Sequence, residues 1–274
     1  MGSIHDAMAA AGLAPAKAIE LNPDGKIHRY RITGDKAGSL NGWVVFHGEF
    51  GSFGSWKTGE THTWHPARSQ PLTPAEQAAM TERIKATRAA QAQLQSTIHA
   101  EARTRAQKLW STAHPATNAN PYLKRKQAQA CGIRQLRDML LIPARDVHGT
   151  LHTLQFISAD GTKRFLTGGR ISGCYCAIGK PVDSLLIAEG YVTAATLFEA
   201  TGRATAACFS CGNMLAVARS LREKFPSLKL VLCADNDIHT PGNPGLTKAR
   251  EAARAVGGFL AVPAFEAEAQ PCPF

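Results

Sequence analysis

The chain has 274 residues, of which 44% are hydrophobic, and its formal net charge is +10. This length permits one large or two modest domains, and the hydrophobic content is sufficient for a true core. The chain contains no apolar run of about eighteen residues, no charged-then-apolar amino-terminal signal and no disulfide framework among its seven cysteines. We therefore expect a cytoplasmic protein with no membrane partner.

Residues 1–70 predict a small β-rich module behind an amino-terminal helix. The evidence is the segment IHRYRI, the Asn41-Gly42 turn, the run WVVF and a loop rich in glycine and tryptophan. The loop sequence GSFGSWKT approaches the phosphate-loop pattern G-x-x-x-x-G-K-[ST]. Trp56 stands where the second glycine must let the backbone approach a phosphate, so we reject an ATP site there.

Aromatic side chains are dense in this module. They are Trp43, Phe46, Phe53, Trp56 and Trp64. Core packing is their commoner fate, and a platform on which single-stranded bases stack is the alternative. His62 and His65 are spaced like half of a metal site, but no convincing second pair accompanies them. We expect no structural zinc.

Residues 71–115 predict a helical connector, a long polar helix rich in Ala, Gln and Arg. The positive charge is concentrated in and after this helix, because thirteen Lys or Arg and only four Asp or Glu lie between Arg68 and Arg145. Such a stretch favours a polyanionic partner such as a nucleic acid over a solvated helix face. Its densest cluster is Lys124, Arg125 and Lys126. Tyr122, just before them, either stacks on a base or packs in a core.

Residues 116–181 predict a basic α+β subdomain. Hairpins built on the turns DVHG and ADGT carry Lys163 and Arg164 toward the sheet that follows. Residues 182–265 then alternate between strands and helices. The predicted strands are 184–188, 204–209, 229–234 and 259–262. This series indicates a parallel α/β sheet buried on both faces, while residues 266–274 form a tail with few structural signals.

Three carboxylates follow the strands of this sheet: Glu189, Asp235 and Asp237. Parallel sheets bind ligands at the carboxyl ends of their strands, so these side chains are expected to gather at one edge. Crowded carboxylates repel each other unless a cation or shifted pKa values offset the repulsion. A divalent cation is the simpler explanation, and oxygen ligands favour Mg²⁺, with Mn²⁺ as the alternative. We predict phosphoryl transfer, with Glu189 as a general acid/base. Capping of helices by these acids is the structural alternative.

Other polar residues of this region have two interpretations. Asn213 either caps a helix or contacts a phosphate, and Lys248 either meets a nucleotide phosphate or faces solvent. Cys208 and Cys211, with Cys174 and Cys176, suggest a redox or zinc site. A buried strand end at Cys208 is the favoured interpretation of that pair.

The segments EGYVTAATLFEATG and CADNDIHTPGNPGLTKAREAA resemble the Toprim domain, the magnesium-binding fold of DnaG-type primases, topoisomerases and certain nucleases. The preceding stretch is similar to the basic subdomain of bacterial primases, especially those of phages and conjugative plasmids. The resemblance covers about residues 120 to 265. It implies Glu189 as the catalytic acid and Asp235 and Asp237 as metal ligands. It also implies that Lys163 and Arg164 lie near template or nucleotide phosphates.

The sequence thus predicts a primase-like nucleotidyltransferase that joins nucleoside triphosphates into short primers on single-stranded DNA in phage or plasmid replication. ATP-driven unwinding would come from a partner such as a replicative helicase. A Toprim nuclease that uses the same carboxylates is the alternative within enzymes. A non-catalytic single-stranded DNA-binding accessory factor is the alternative outside them.

Overall fold

The protein is described by a computed structural model that covers residues 2–66, 73–236, 238 and 240–263. The chain divides into two compact units, Met1–Gln95 and Ser96–Phe274. No helix within the described ranges is both long enough and apolar enough to span a bilayer. The five segments predicted from the sequence stay a prediction, and the predicted tail 266–274 lies outside the described residues.

The first unit contains a short helix and a four-stranded antiparallel sheet. Its elements are α1 (Ile4–Ala10), β1 (Ile27–Tyr30), β2 (Gly42–Phe46), β3 (Gly51–Ser55) and β4 (Thr61–Trp64), and the strand order is β1-β2-β3-β4. Ser3 caps α1 in a capping box with Asp6. Helix and sheet bury one core, in which Met8, Val44 and Phe53 pack together.

The aromatic side chains of this unit divide between core and surface. Phe53 is only 2% exposed, and the ring of His62 stacks on it at 5.2 Å. Trp56 is 58% exposed and lies 5.8 Å from Trp43, between ring centroids. The rejected phosphate loop falls in β3 and the turn after it. Its backbone is therefore committed to the antiparallel sheet rather than to a phosphate.

The second unit begins with a long helix and a five-stranded antiparallel sheet. The helix α2 (Pro74–Thr112) starts in the first unit. The remaining elements are β5 (His114–Pro115), α3 (Pro121–Lys126), β6 (Arg134–Leu136), β7 (Met139–Arg145), β8 (Leu151–Ile157) and β9 (Lys163–Phe165). The strands are ordered β5-β6-β7-β8-β9. One face of this sheet packs on Ala106 of α2 through Leu141 and Leu154.

A second, mostly parallel sheet follows in the same unit. Its elements are β10 (Cys176–Ile178), β11 (Ser184–Ala188), α4 (Tyr191–Thr201), β12 (Thr205–Ala207), α5 (Cys211–Lys224), β13 (Lys229–Cys233), α6 (Pro244–Val256) and β14 (Phe259–Ala261). The order is β10-β12-β11-β13-β14, with β10 antiparallel to β12 and the other neighbours parallel. The predicted mixed α/β fold with a parallel sheet and flanking helices is confirmed. The sequence did not predict β10.

Both faces of the parallel sheet are covered, as its apolar strands require. Ile187 and Leu232 pack against α5 and α6. Leu186 and Ala188, on the opposite face, pack against α4 and also against the antiparallel sheet. The antiparallel sheet therefore lies on the α4 side of the parallel sheet, and the two sheets share one hydrophobic core.

Candidate active site

Two of the predicted carboxylates follow neighbouring strands at the carboxyl edge of the parallel sheet. Glu189 directly follows β11, and Asp235 follows β13 after one intervening residue. These strands are neighbours, with Ala188 paired to Cys233 in parallel register. Both acids are half-buried. The third predicted acid, Asp237, lies outside the described residues.

Buried thiols lie beside both carboxylates. The pKa of Cys208 is raised to about 12, mainly by burial and in smaller part by the negative charge of Glu189. Burial raises the pKa of Cys233 to about 11, with Asp235 adding to the effect. Both cysteines are therefore protonated near neutral pH. The negatively charged atoms that this edge offers to a metal ion are therefore carboxylate oxygens and not thiolates.

The loop after β13 is held against the start of α6. Asn243 accepts a hydrogen bond from the Leu246 amide at 3.4 Å and donates one to Asn236 Oδ1 at 2.8 Å. A Cβ on Gly245 would stand 2.5 Å from the carbonyl oxygen of Asp235, so only glycine fits there. This close contact fixes Asp235 beside the positive end of the α6 dipole.

The antiparallel sheet brings Lys163 to the same edge. Lys163 pairs with Ile157, whose side chain is in the core shared with Tyr191, and paired residues of antiparallel strands point to one face. Lys163 Nζ lies 3.9 Å from the position that a Cβ on Gly190 would take. A cationic side chain thus lies next to the residue that follows Glu189.

Arg164 points to the opposite face of β9, because successive side chains of a strand alternate. It lines a surface hollow of about 290 Å³ together with Met139 and Phe156. The two basic residues that the sequence predicted as a pair are therefore separated by the strand. Of the two, only Lys163 is shown beside Gly190, the residue that follows Glu189.

Aromatic residues that the sequence analysis missed lie beside Lys163. Phe165, two residues further along β9, meets Phe209 edge to face with ring centroids 5.4 Å apart. Phe209 follows β12 and has a φ of 72°, a left-handed conformation that is unusual for a bulky residue. Strained residues of this kind concentrate at functional sites. The sequence could have indicated this position, because residues two apart on a strand point to the same face, as Lys163 and Phe165 do.

Asn213 holds the turn after β12 in place. It is 7% exposed, and its Nδ2 lies 2.9 Å from the Cys208 carbonyl, 3.0 Å from that of Cys174 and 3.2 Å from that of Ile171. Its Oδ1 accepts from the Gly173 amide at 2.9 Å. The amide is fully occupied by backbone groups, so we remove Asn213 from the predicted phosphate contacts.

Replacing Asn213 with alanine is expected to destabilise the protein by about 2–4 kcal/mol, because buried carbonyl and amide groups lose their partner. Urea unfolding measures this change. Asn118→Ala is the matched control, since Asn118 accepts one exposed backbone bond, from the Ala130 amide at 2.8 Å, and its loss should cost about 1 kcal/mol or less. Equal stabilities of the two variants would contradict the structural role.

The residues of the predicted basic cluster, Lys124, Arg125 and Lys126, differ in their contacts. Arg125 donates to the Ala159 carbonyl at 2.7 Å and lies over the ring of Tyr122, which is buried. Tyr122 therefore packs rather than stacks on a base. Lys124 and Lys126 are exposed at the end of α3. Lys248 forms an exposed ion pair with Glu251 at 2.8 Å.

The cysteine motif has a structural role. Cys208 is buried at the end of β12, and Cys211 is the first residue of α5. Among the residues that the structure describes, no group of three or more His, Cys, Asp or Glu side chains is arranged to hold a metal ion. This finding does not extend to Asp237.

Two curated proteins of Escherichia coli, both named DNA primase TraC, match this sequence. One is 40% identical over 257 residues, which are 88% of this chain and 24% of the relative. The other is 36% identical over 278 residues, which are 95% of this chain and 19% of the relative. The chain is homologous to a segment of each of these two proteins. The predicted resemblance to primases is thereby confirmed, although the chain spans a quarter or less of the length of these relatives.

Solved primase structures are more distant. The primase fragment of the bacteriophage T7 primase-helicase is 12% identical with a TM-score of 0.39, and the match covers 57% of this chain and 67% of that chain. A DNA primase domain from Pseudomonas aeruginosa is 16% identical with a TM-score of 0.33, and the match covers 44% of this chain and 40% of that chain. No family model matches the sequence.

Proposed function

We propose that this chain is a primase catalytic region, a nucleotidyltransferase that joins nucleoside triphosphates into short primers on single-stranded DNA during plasmid or phage replication. The observation that carries the proposal is the carboxyl edge where Glu189 and Asp235 follow neighbouring strands and Lys163 approaches from the second sheet. Acids with an adjacent cation match the needs of phosphoryl transfer, in which negative charge must be positioned and neutralised. The homology to proteins named DNA primase supports the same function.

Each residue of this edge has a proposed role. Glu189 and Asp235, with Asp237 from the sequence, would hold Mg²⁺ or Mn²⁺, because the site offers hard oxygen donors. The ion would supply charge neutralisation at the transferred phosphate. Lys163 orients the triphosphate through its ammonium group. Glu189 is also placed to accept the proton of the attacking hydroxyl.

The template is proposed to follow the basic stretch of the second unit. The side chains of Lys124 and Lys126 are exposed in the last turn of α3. Their charges therefore remain available for the phosphates of single-stranded DNA, and such contacts weaken with added salt. A replicative helicase is the proposed source of unwinding.

The proposed function is tested by incubating the protein with single-stranded DNA, labelled ribo- and deoxynucleoside triphosphates, and Mg²⁺ or Mn²⁺. We expect short labelled oligomers that require template, triphosphates and the divalent ion together. Cleaved template without labelled oligomers would instead identify a nuclease. DNA binding that is unchanged by the ion and gives neither product would identify an accessory factor.

A further inference from the structure

Gln155 is a buried polar residue on the face of β8 that packs toward the parallel sheet. It is 5% exposed and pairs with Ile142 on one side and Phe165 on the other. Ile142 is in the core shared by the two sheets, and paired residues point to the same face. Gln155 is therefore next to Phe165 and diagonal to Lys163, on the face that brings Lys163 to Gly190.

The side-chain amide of Gln155 has no hydrogen-bond partner among the described residues. The structure describes seven buried polar residues, and the other six each make a side-chain hydrogen bond. They are Ser55, Asn120, Thr153, Ser184, Thr205 and Asn213. An amide that the fold leaves without a hydrogen-bond partner calls for an explanation, because buried polar groups in proteins are as a rule hydrogen-bonded.

The amide is not sealed inside the core. The only fully enclosed side-chain atoms without a partner in the described ranges are Ser39 Oγ and Arg170 Nε. Both amide atoms of Gln155 therefore reach the small opening that leaves the residue 5% exposed. A nearly buried amide that still reaches solvent is suited to a ligand that supplies the hydrogen bonds the fold does not.

We infer that Gln155 binds the nucleoside part of a nucleotide whose phosphates lie at Lys163. A carboxamide offers one donor and one acceptor group without charge, which matches a sugar hydroxyl or a base edge. Phe165, its neighbour on β9, presents an aromatic ring beside it. This inference rests on the proposed function and assigns the residue that recognises the neutral half of the substrate.

The variant Gln155→Leu tests the inference, because leucine has a similar size and no polar atoms. Equilibrium binding is measured for ATP, GTP, CTP and UTP, for dATP, and for inorganic triphosphate, which lacks a nucleoside. We expect nucleoside triphosphates to bind about tenfold more weakly, as loss of one buried hydrogen bond implies, and inorganic triphosphate to bind equally well. A loss with ATP and dATP but not with GTP, CTP or UTP identifies a base contact, whereas a loss with all four ribonucleotides and not with dATP identifies the sugar hydroxyl.

Stability separates this role from a structural one. Because the amide has no partner in the fold, Gln155→Leu should leave the urea midpoint unchanged or raise it. Thr153→Val is the matched control, since the Thr153 hydroxyl is near the Leu166 carbonyl at 3.5 Å. We expect that control to lose stability while its folded fraction binds nucleotides normally.

Several outcomes would overturn the inference. They are unchanged nucleoside triphosphate binding in Gln155→Leu, an equal loss for inorganic triphosphate, or a loss confined to single-stranded DNA, which would assign Gln155 to the template. Failure of the proposed function itself looks different, because the wild-type protein would then neither bind triphosphates nor make primers.

Discussion

Glu189→Gln and Asp235→Asn are each expected to lower primer synthesis by about a thousandfold. Each change keeps the size of the side chain and removes one negative charge from the carboxyl edge of the parallel sheet. The remaining carboxylates would hold a divalent ion less tightly, and Glu189→Gln would also remove the proposed proton acceptor. Single-turnover primer synthesis at several Mg²⁺ concentrations measures both effects, because weaker ion binding shifts the requirement to higher concentration.

Asp183→Asn is the matched control for these two variants. Asp183 precedes β11 at the amino end, and its carboxylate accepts a hydrogen bond from Ser184 Oγ at 3.0 Å. It therefore lies at the opposite end of the strand that Glu189 follows, and its charge is remote from the proposed chemistry. Primer synthesis should stay within about threefold of wild type for this exposed change. Activity of Glu189→Gln within tenfold of wild type would argue against the carboxylate site, provided that urea unfolding shows an intact fold.

The parallel sheet could be predicted because each of its longer strands is visible in the sequence as a short apolar run. Short apolar runs separated by helices gave strands at 184–188 and 229–234, and the structure has them at Ser184–Ala188 and Lys229–Cys233. The position of the acids after these runs then places them at one edge by topology alone. The strand β10 escaped prediction because its three residues are too few to show a periodicity, and its pairing with β12 is formed between distant parts of the chain.

Side-chain partners were less predictable, because they depend on contacts between distant segments. Asn213 bonds to residues about forty positions earlier, and Arg125 bonds to Ala159 across 34 positions. No local pattern distinguishes these polar side chains from ones that meet a ligand. Gln155 is the reverse case, since its sequence context is that of an ordinary strand residue. Only the pairing of β8 with its neighbours and the 5% exposure of the residue show that its amide is nearly enclosed without a partner among the described residues.

Lys163→Gln is expected to lower kcat/KM for the triphosphate by about a hundredfold, which corresponds to about 3 kcal/mol for a lost charged hydrogen bond. The effect requires that the ammonium group reach the substrate phosphates, and its position beside Gly190 provides that reach. Steady-state primer synthesis measures the loss. The salt dependence of triphosphate binding should also become shallower, because one phosphate contact is removed.

Arg164→Gln is the matched control, which distinguishes the position of the Lys163 side chain from the overall charge of the segment. It removes the same unit of charge one residue away, but its side chain lies on the opposite face of β9, beside Met139 and Phe156. We expect kcat/KM to fall by less than about threefold. An exposed charge on the far face of β9 is largely screened from the substrate at physiological ionic strength. If both variants lost activity equally, the general positive charge of the segment would explain the result. A large loss confined to Lys163→Gln would show that position matters and not charge alone. Successive side chains of β9 point to opposite faces, so only one of these two adjacent basic residues has access to the carboxylate edge.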